Sequence, residues 1–138
     1  MFAALPLLAL PVLFYNLLGL MIGGGLRSSA MVERMSAPIF SVTMASRAVW
    51  TVSLGDLFLA GSLVVLFVEL LKPTTSRQAA IINHSLSMVL FIACLVEFLL
   101  FPAFATSTFF ILTLMVLLDV LAGFIVTIVA ARREIDIR

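Results

Sequence analysis

Charge is the scarcest commodity in this chain. Asp, Glu, Lys and Arg together make up 11% of its 138 residues, against about 25% in a typical soluble domain. A soluble fold of this length could not hide the remaining surface, which is 64% hydrophobic with a mean hydropathy of +1.30. The solvent is therefore lipid. The formal net charge is only +1 and no basic tail is present, which argues against nucleic acid as a partner. Cys94 is the one cysteine, so an internal disulfide and a cysteine-based metal cluster are both excluded. His84 is the one histidine; without a His or Cys companion it is poor support for haem or a transition metal, and no cofactor is expected. The motifs H-E-x-x-H, C-x-x-C, G-x-S-x-G and E-x-x-H are absent, and with them the usual signatures of an intramembrane enzyme. A quinone or lipid site beside His84 is the one route by which an enzyme reading would return. Ten-residue alternating segments of the kind that build membrane barrels are missing too, so the expected fold class is an all-α membrane protein.

What is present is a set of long apolar runs. The dominant one is residues 106–133, TSTFFILTLMVLLDVLAGFIVTIVAARR, which carries no Lys or Arg until Arg132 and Arg133. At about 1.5 Å of rise per residue it can cross a hydrocarbon core of roughly 30 Å. Four spans are expected, at about residues 2–21, 54–71, 78–101 and 107–131, forming a four-transmembrane-helix bundle in one integral membrane domain. The first run lacks the basic start and the cleavage site of a signal peptide and is read as a retained span that Pro6 and Pro11 can bend. Gly19 and Gly23 have the G-x-x-x-G spacing that lets two helix backbones approach, and Gly123 sits in a comparable position in the last span. Ser53 and Asp56 have a capping-box spacing at the start of the second span, Thr75 to Gln78 repeats it before the third, and Thr106 or Ser107 can cap the fourth.

Residues 24–53 form the outer loop. Residues 26–35 suit a short interfacial helix. Phe40, Val42 and Met44 then alternate with Ser41 and Thr43, and Trp50, Val52 and Leu54 with Thr51 and Ser53, a period of two. This predicts a short extracytoplasmic β-hairpin whose apolar face rests on the membrane or on the helix ends; the alternative is an amphipathic interfacial helix. The intervening Ala-Ser-Arg has no glycine to make the turn. Lys72 and Arg77, together with Arg132, Arg133 and Arg138, fall on the same side if four spans cross. The positive-inside rule then places both termini on the cytoplasmic face of the plasma (inner) membrane, although Arg27, Arg34 and Arg47 in the outer loop work against it.

Five ionisable residues lie within the spans: Asp56, Glu69, His84, Glu97 and Asp119. Asp119 is near the midplane, where a charge is costly, so it needs a partner, a proton or a function. Asn16 is expected as its nearest polar companion, and Arg47 as a partner for Glu97. Asp56 reads as a cap, Glu69 as an i,i+3 pair with Lys72, and His84 as a hydrogen-bonded structural side chain. Asn83, Ser87, Leu90, Cys94 and Glu97 share one face of the third span, and Asp119, Gly123 and Thr127 one face of the fourth; such seams are where helices meet. Two functions follow. The first is an interaction or accessory module that packs on another membrane protein or on itself. The second is an oligomeric proton- or cation-conducting protein in which Asp119, Glu97, Glu69 and His84 relay or bind the ion. The expected partners are the bilayer and other membrane subunits or copies of the chain.

Overall fold

A computed structural model describes residues 4–22, 24–73 and 76–137. In chain order it contains α1 (Ala9–Met21), α2 (Ala30–Ser36), β1 (Pro38–Thr43), β2 (Val49–Ser53), α3 (Leu54–Leu71), α4 (Arg77–Leu100), a 3-10 turn (Pro102–Phe104) and α5 (Ser107–Ile137). Gly23, the Thr75 cap and Arg138 lie outside the described residues. The protein is mostly helical, and α3, α4 and α5 are each long and apolar enough to cross a membrane.

The first expected span is shorter than the sequence suggested. α1 starts at Ala9 and has 13 residues, about 20 Å of helix at the usual rise. Pro11 falls in its first turn, where a missing N–H costs nothing, and turn-like chain precedes it. α1 runs antiparallel to α3: Leu7 meets Glu69 near the end of α3, and Phe14 and Tyr15 meet Phe58 near its start. α5 is longer than expected and continues six residues past Ala131 to Ile137, because Ala, Arg and Glu after the apolar run favour helix in water.

α5 is the hub. It packs on both α3 and α4 and buries Phe109, Leu112, Met115, Val116 and Asp119 between them. Apart from Leu66, the buried residues of α3 and α4 are small or polar: Gly55, Ser62, Glu69, Ser87 and Cys94, with Phe58, Leu59, Val65, Leu90, Phe91 and Phe98 packed partly buried around the core. Gly55 is the tightest point. A Cβ there would lie 2.9 Å from the Met35 carbonyl oxygen and would strike the Thr108 hydroxyl. At the same end Tyr15 is fully buried among Phe58, Phe104 and Phe109, and its hydroxyl bonds the Ala103 carbonyl (3.0 Å) and Thr106 (2.7 Å). Thr106 also caps α5 by accepting from the Phe109 N–H.

The hairpin forms as the alternation predicted. β1 and β2 pair antiparallel, with Phe40 opposite Val52, Ser41 opposite Thr51 and Val42 opposite Trp50. The turn closes without glycine: the Arg47 N–H donates to the Met44 carbonyl (2.8 Å), and Arg47 itself takes the left-handed conformation at φ 66 that glycine usually supplies. Of the apolar face only Val52 is covered by the bundle; Phe40, Val42, Met44 and Trp50 remain exposed. The strand hands directly to α3, since Ser53 ends β2 and caps the helix. The Asp56 N–H donates to the Ser53 hydroxyl (3.2 Å), while the Ser53 N–H donates to the Asp56 carboxylate (2.9 Å). α4 is capped by Ser76 through the Ala79 N–H. Ser53→Ala removes the α3 cap and is expected to lower stability by about 1 kcal/mol, read as a lower denaturant midpoint in detergent micelles.

Candidate functional site

The ionisable residues do not form one ladder. They divide into two clusters at opposite ends of the bundle.

The cluster at the Lys72 end is the denser. Glu69 is buried on α3 with both oxygens engaged: Oε2 accepts from the Leu7 N–H (2.8 Å) and Lys72 Nζ (3.1 Å), and Oε1 accepts from Asn83 Nδ2 (3.2 Å). Lys72 also donates to the Leu5 carbonyl (2.6 Å). The expected Glu69–Lys72 pair is thus present and also ties down the chain leading into α1. One turn beyond Asn83, the Ser87 hydroxyl lies 3.0 Å from the Asn83 carbonyl and 3.0 Å from Asp119 Oδ2. Asp119 is 8% exposed, and its Oδ1 has no hydrogen-bond partner among the described residues.

His84 departs from its expected role. Its Nδ1 is buried without a hydrogen-bond partner among the described residues and packs on Gly123, where a Cβ would collide with the ring. The ring stands edge-on to Phe124 at 4.5 Å. Gly123 therefore does act as a close-packing glycine. Gly19 is not such a point: a Cβ added there would meet only the Leu26 side chain, at 4.0 Å, among the described residues.

Two clefts open beside this cluster. One, of about 160 Å³, is lined by Glu69, Lys72, Asn83, His84, Ser87 and Asp119 among others. The second, of about 610 Å³, lies between the Lys72-end portions of α4 and α5, with Arg77, Ser85 and Glu134 on its walls. Ala80, His84, Val126 and Thr127 line both.

The other cluster is small. Asn16 donates to Glu97 (3.3 Å) and to the Val12 carbonyl (3.0 Å). This corrects two expectations. Asn16 belongs to Glu97 rather than Asp119, because α1 meets the far end of α4; and Arg47 sits at the hairpin tip, where its guanidinium makes no ion pair among the described residues. Between the clusters Cys94, Leu112, Met115 and Val116 are buried and form an apolar layer. Asp56 stays at the helix cap, exposed and bonded only to Ser53.

The structure thus brings Glu69, His84 and Asp119 to one cleft and leaves Glu97, Asn16 and Asp56 apart from it. Ser87 and Asn83 connect the cleft. Their four-residue spacing on a polar seam was the available signal, but which acid they would meet was not. Among the described residues no three of His, Cys, Asp and Glu converge as a metal cage. The arrangement can hold or release a proton at Asp119 and can admit water beside it. Fold and site together define a small helical protein with a membrane-compatible bundle and a buried acid. No known protein family, curated protein or solved structure matches the chain.

Proposed function

We propose that this protein is a membrane-embedded interaction module. It packs through its outer hairpin and apolar helix faces on another membrane protein or on a second copy of itself. The observation that carries this reading is the hairpin: Phe40, Val42, Met44 and Trp50 form one face of a two-stranded sheet and are 42–54% exposed. A lone hairpin with an uncovered apolar face is marginal, and a partner surface supplies what the bundle does not. In this reading α1 is a fourth, short crossing segment. The Lys72 and Arg77 end, with both termini, faces the cytoplasm across the plasma (inner) membrane, and the hairpin lies outside.

A photo-crosslinking residue in place of Trp50, the chain's only tryptophan, is expected to trap a discrete protein or a second copy in native membranes. Phe40→Asp is expected to abolish that product. Crosslinks to lipid alone would refute the proposal.

The second reading, a proton- or cation-conducting oligomer that uses Asp119, draws on the clefts at the Lys72 end. The apolar layer around Cys94 weighs against a path through one copy. Loss of flux in reconstituted vesicles on Asp119→Asn, with the fold intact, would favour it.

A further inference from the structure

We infer that Asp119 is a reversible proton-binding site that exchanges with water from the Lys72 end of the bundle alone. This goes beyond the interaction reading and does not rest on it. It also departs from conduction, since a site filled and emptied on one side stores protons and does not pass them.

The first support is a count of hydrogens. The Ser87 hydroxyl has one proton and faces two acceptors, the Asn83 carbonyl and Asp119 Oδ2, each at 3.0 Å. With Asp119 ionised, Ser87 turns to the carboxylate. With Asp119 protonated on Oδ2, the acid donates to Ser87 and Ser87 donates to Asn83, and both contacts are satisfied at once. Rotation of a single hydroxyl converts one arrangement to the other. The site is built for both charge states.

The second support is access. Among the described residues Asp119 Oδ1 is without a partner, and the residue lines a cleft of about 160 Å³, ample for water where a site of about 10–15 Å³ holds one molecule. That cleft shares His84 and Thr127 with the larger one, which reaches Arg77 and Glu134 beyond the apolar part of α5. Towards the hairpin, the buried side chains of Cys94, Leu112 and Met115 close the way.

The third is the state of the neighbours. On α3, Glu69 has both oxygens bonded and Lys72 is held by Glu69 and the Leu5 carbonyl. On α4, His84 packs its Nδ1 against Gly123, four residues from Asp119, or about 6 Å of rise. A proton on Nδ1 would be buried unpaired, so Nε2–H is the group His84 can offer to cleft water. His84 is a positioning residue for that water. The step itself is simple: a hydronium in the cleft gives its proton to the Asp119 carboxylate and remains as water, and release is the reverse.

The test uses the full chain in sealed vesicles of each orientation. Infrared difference spectra should show a protonated-carboxyl band that responds to pH on the Lys72 side, ignores pH on the hairpin side and disappears in Asp119→Asn. His84→Phe should slow its hydrogen–deuterium exchange, because the cleft water loses the Nε2–H that orients it. A band lost in Asp119→Asn that follows pH on the hairpin side, or no such Asp119-dependent band at all, overturns the inference. A second measurement does not depend on altering the acid. In a Thr127→Cys variant, an impermeant maleimide should modify position 127 from the Lys72 side only, and native Cys94 from neither. Labelling of Cys94 from the hairpin side would also overturn it.

Discussion

Replacing Glu69 by alanine is expected to lower the unfolding free energy by about 3–5 kcal/mol, the range for breaking a buried ion pair from one side. Glu69 and Lys72 side chains are 2% and 15% exposed. Without the carboxylate, the ammonium of Lys72 keeps only the Leu5 carbonyl, and the Leu7 N–H and Asn83 amide lose their acceptor. Much of the loss is therefore the stranded Lys72 charge, and not the worth of the pair itself. Adding Lys72→Met to Glu69→Ala should recover a large part of the stability, so that the double variant is more stable than the single one. Stability in mixed micelles, measured by denaturing-detergent titration of single and double variants, checks both statements. Because this pair bonds the Leu5 carbonyl and the Leu7 N–H, proteolysis ahead of α1 should accelerate in Glu69→Ala. If Glu69→Ala and the double variant are equally destabilised, the stranded-charge account is wrong.

Two glycines on one helix are expected to answer the same substitution with opposite signs. Gly55→Ala places a methyl 2.9 Å from the Met35 carbonyl oxygen and onto the Thr108 hydroxyl. The carbonyl is backbone and cannot swing aside, so α2, α3 and α5 must part. Overpacking of this kind costs about 1–3 kcal/mol, against which alanine's better helix propensity returns up to about 1 kcal/mol. A net loss of about 1–2 kcal/mol is expected. Gly61→Ala meets nothing within 4 Å, so only the propensity gain remains, up to about 1 kcal/mol of stabilisation. The same unfolding measurement on both variants tests the contrast. Two changes of equal sign would mean that Gly55 is not the close-contact point.

Much of this architecture was legible in the order of residues. The apolar runs of α3, α4 and α5 announce helices because a chain in lipid must satisfy its own backbone, and a helix does so within one segment. The Ser53–Asp56 capping box and the Thr106 cap are equally local: donor and acceptor lie three residues apart. The hairpin declared itself through its period of two, although Arg47 stands where glycine would normally turn the chain. Even the seam on α4 was readable, since Asn83, Ser87, Cys94 and Glu97 share a face whatever lies opposite.

What faced that seam was decided by tertiary packing alone. Depth along a helix follows from counting residues, but the rotation of one helix against another does not, and a polar contact across helices needs both. Asn16 therefore meets Glu97 and not Asp119, and Ser87 is the residue that reaches Asp119. The same reason hid Gly55. Its place beside the Ser53–Asp56 cap does not mark it as a contact point; the arrival of Met35 and Thr108 from distant parts of the chain does.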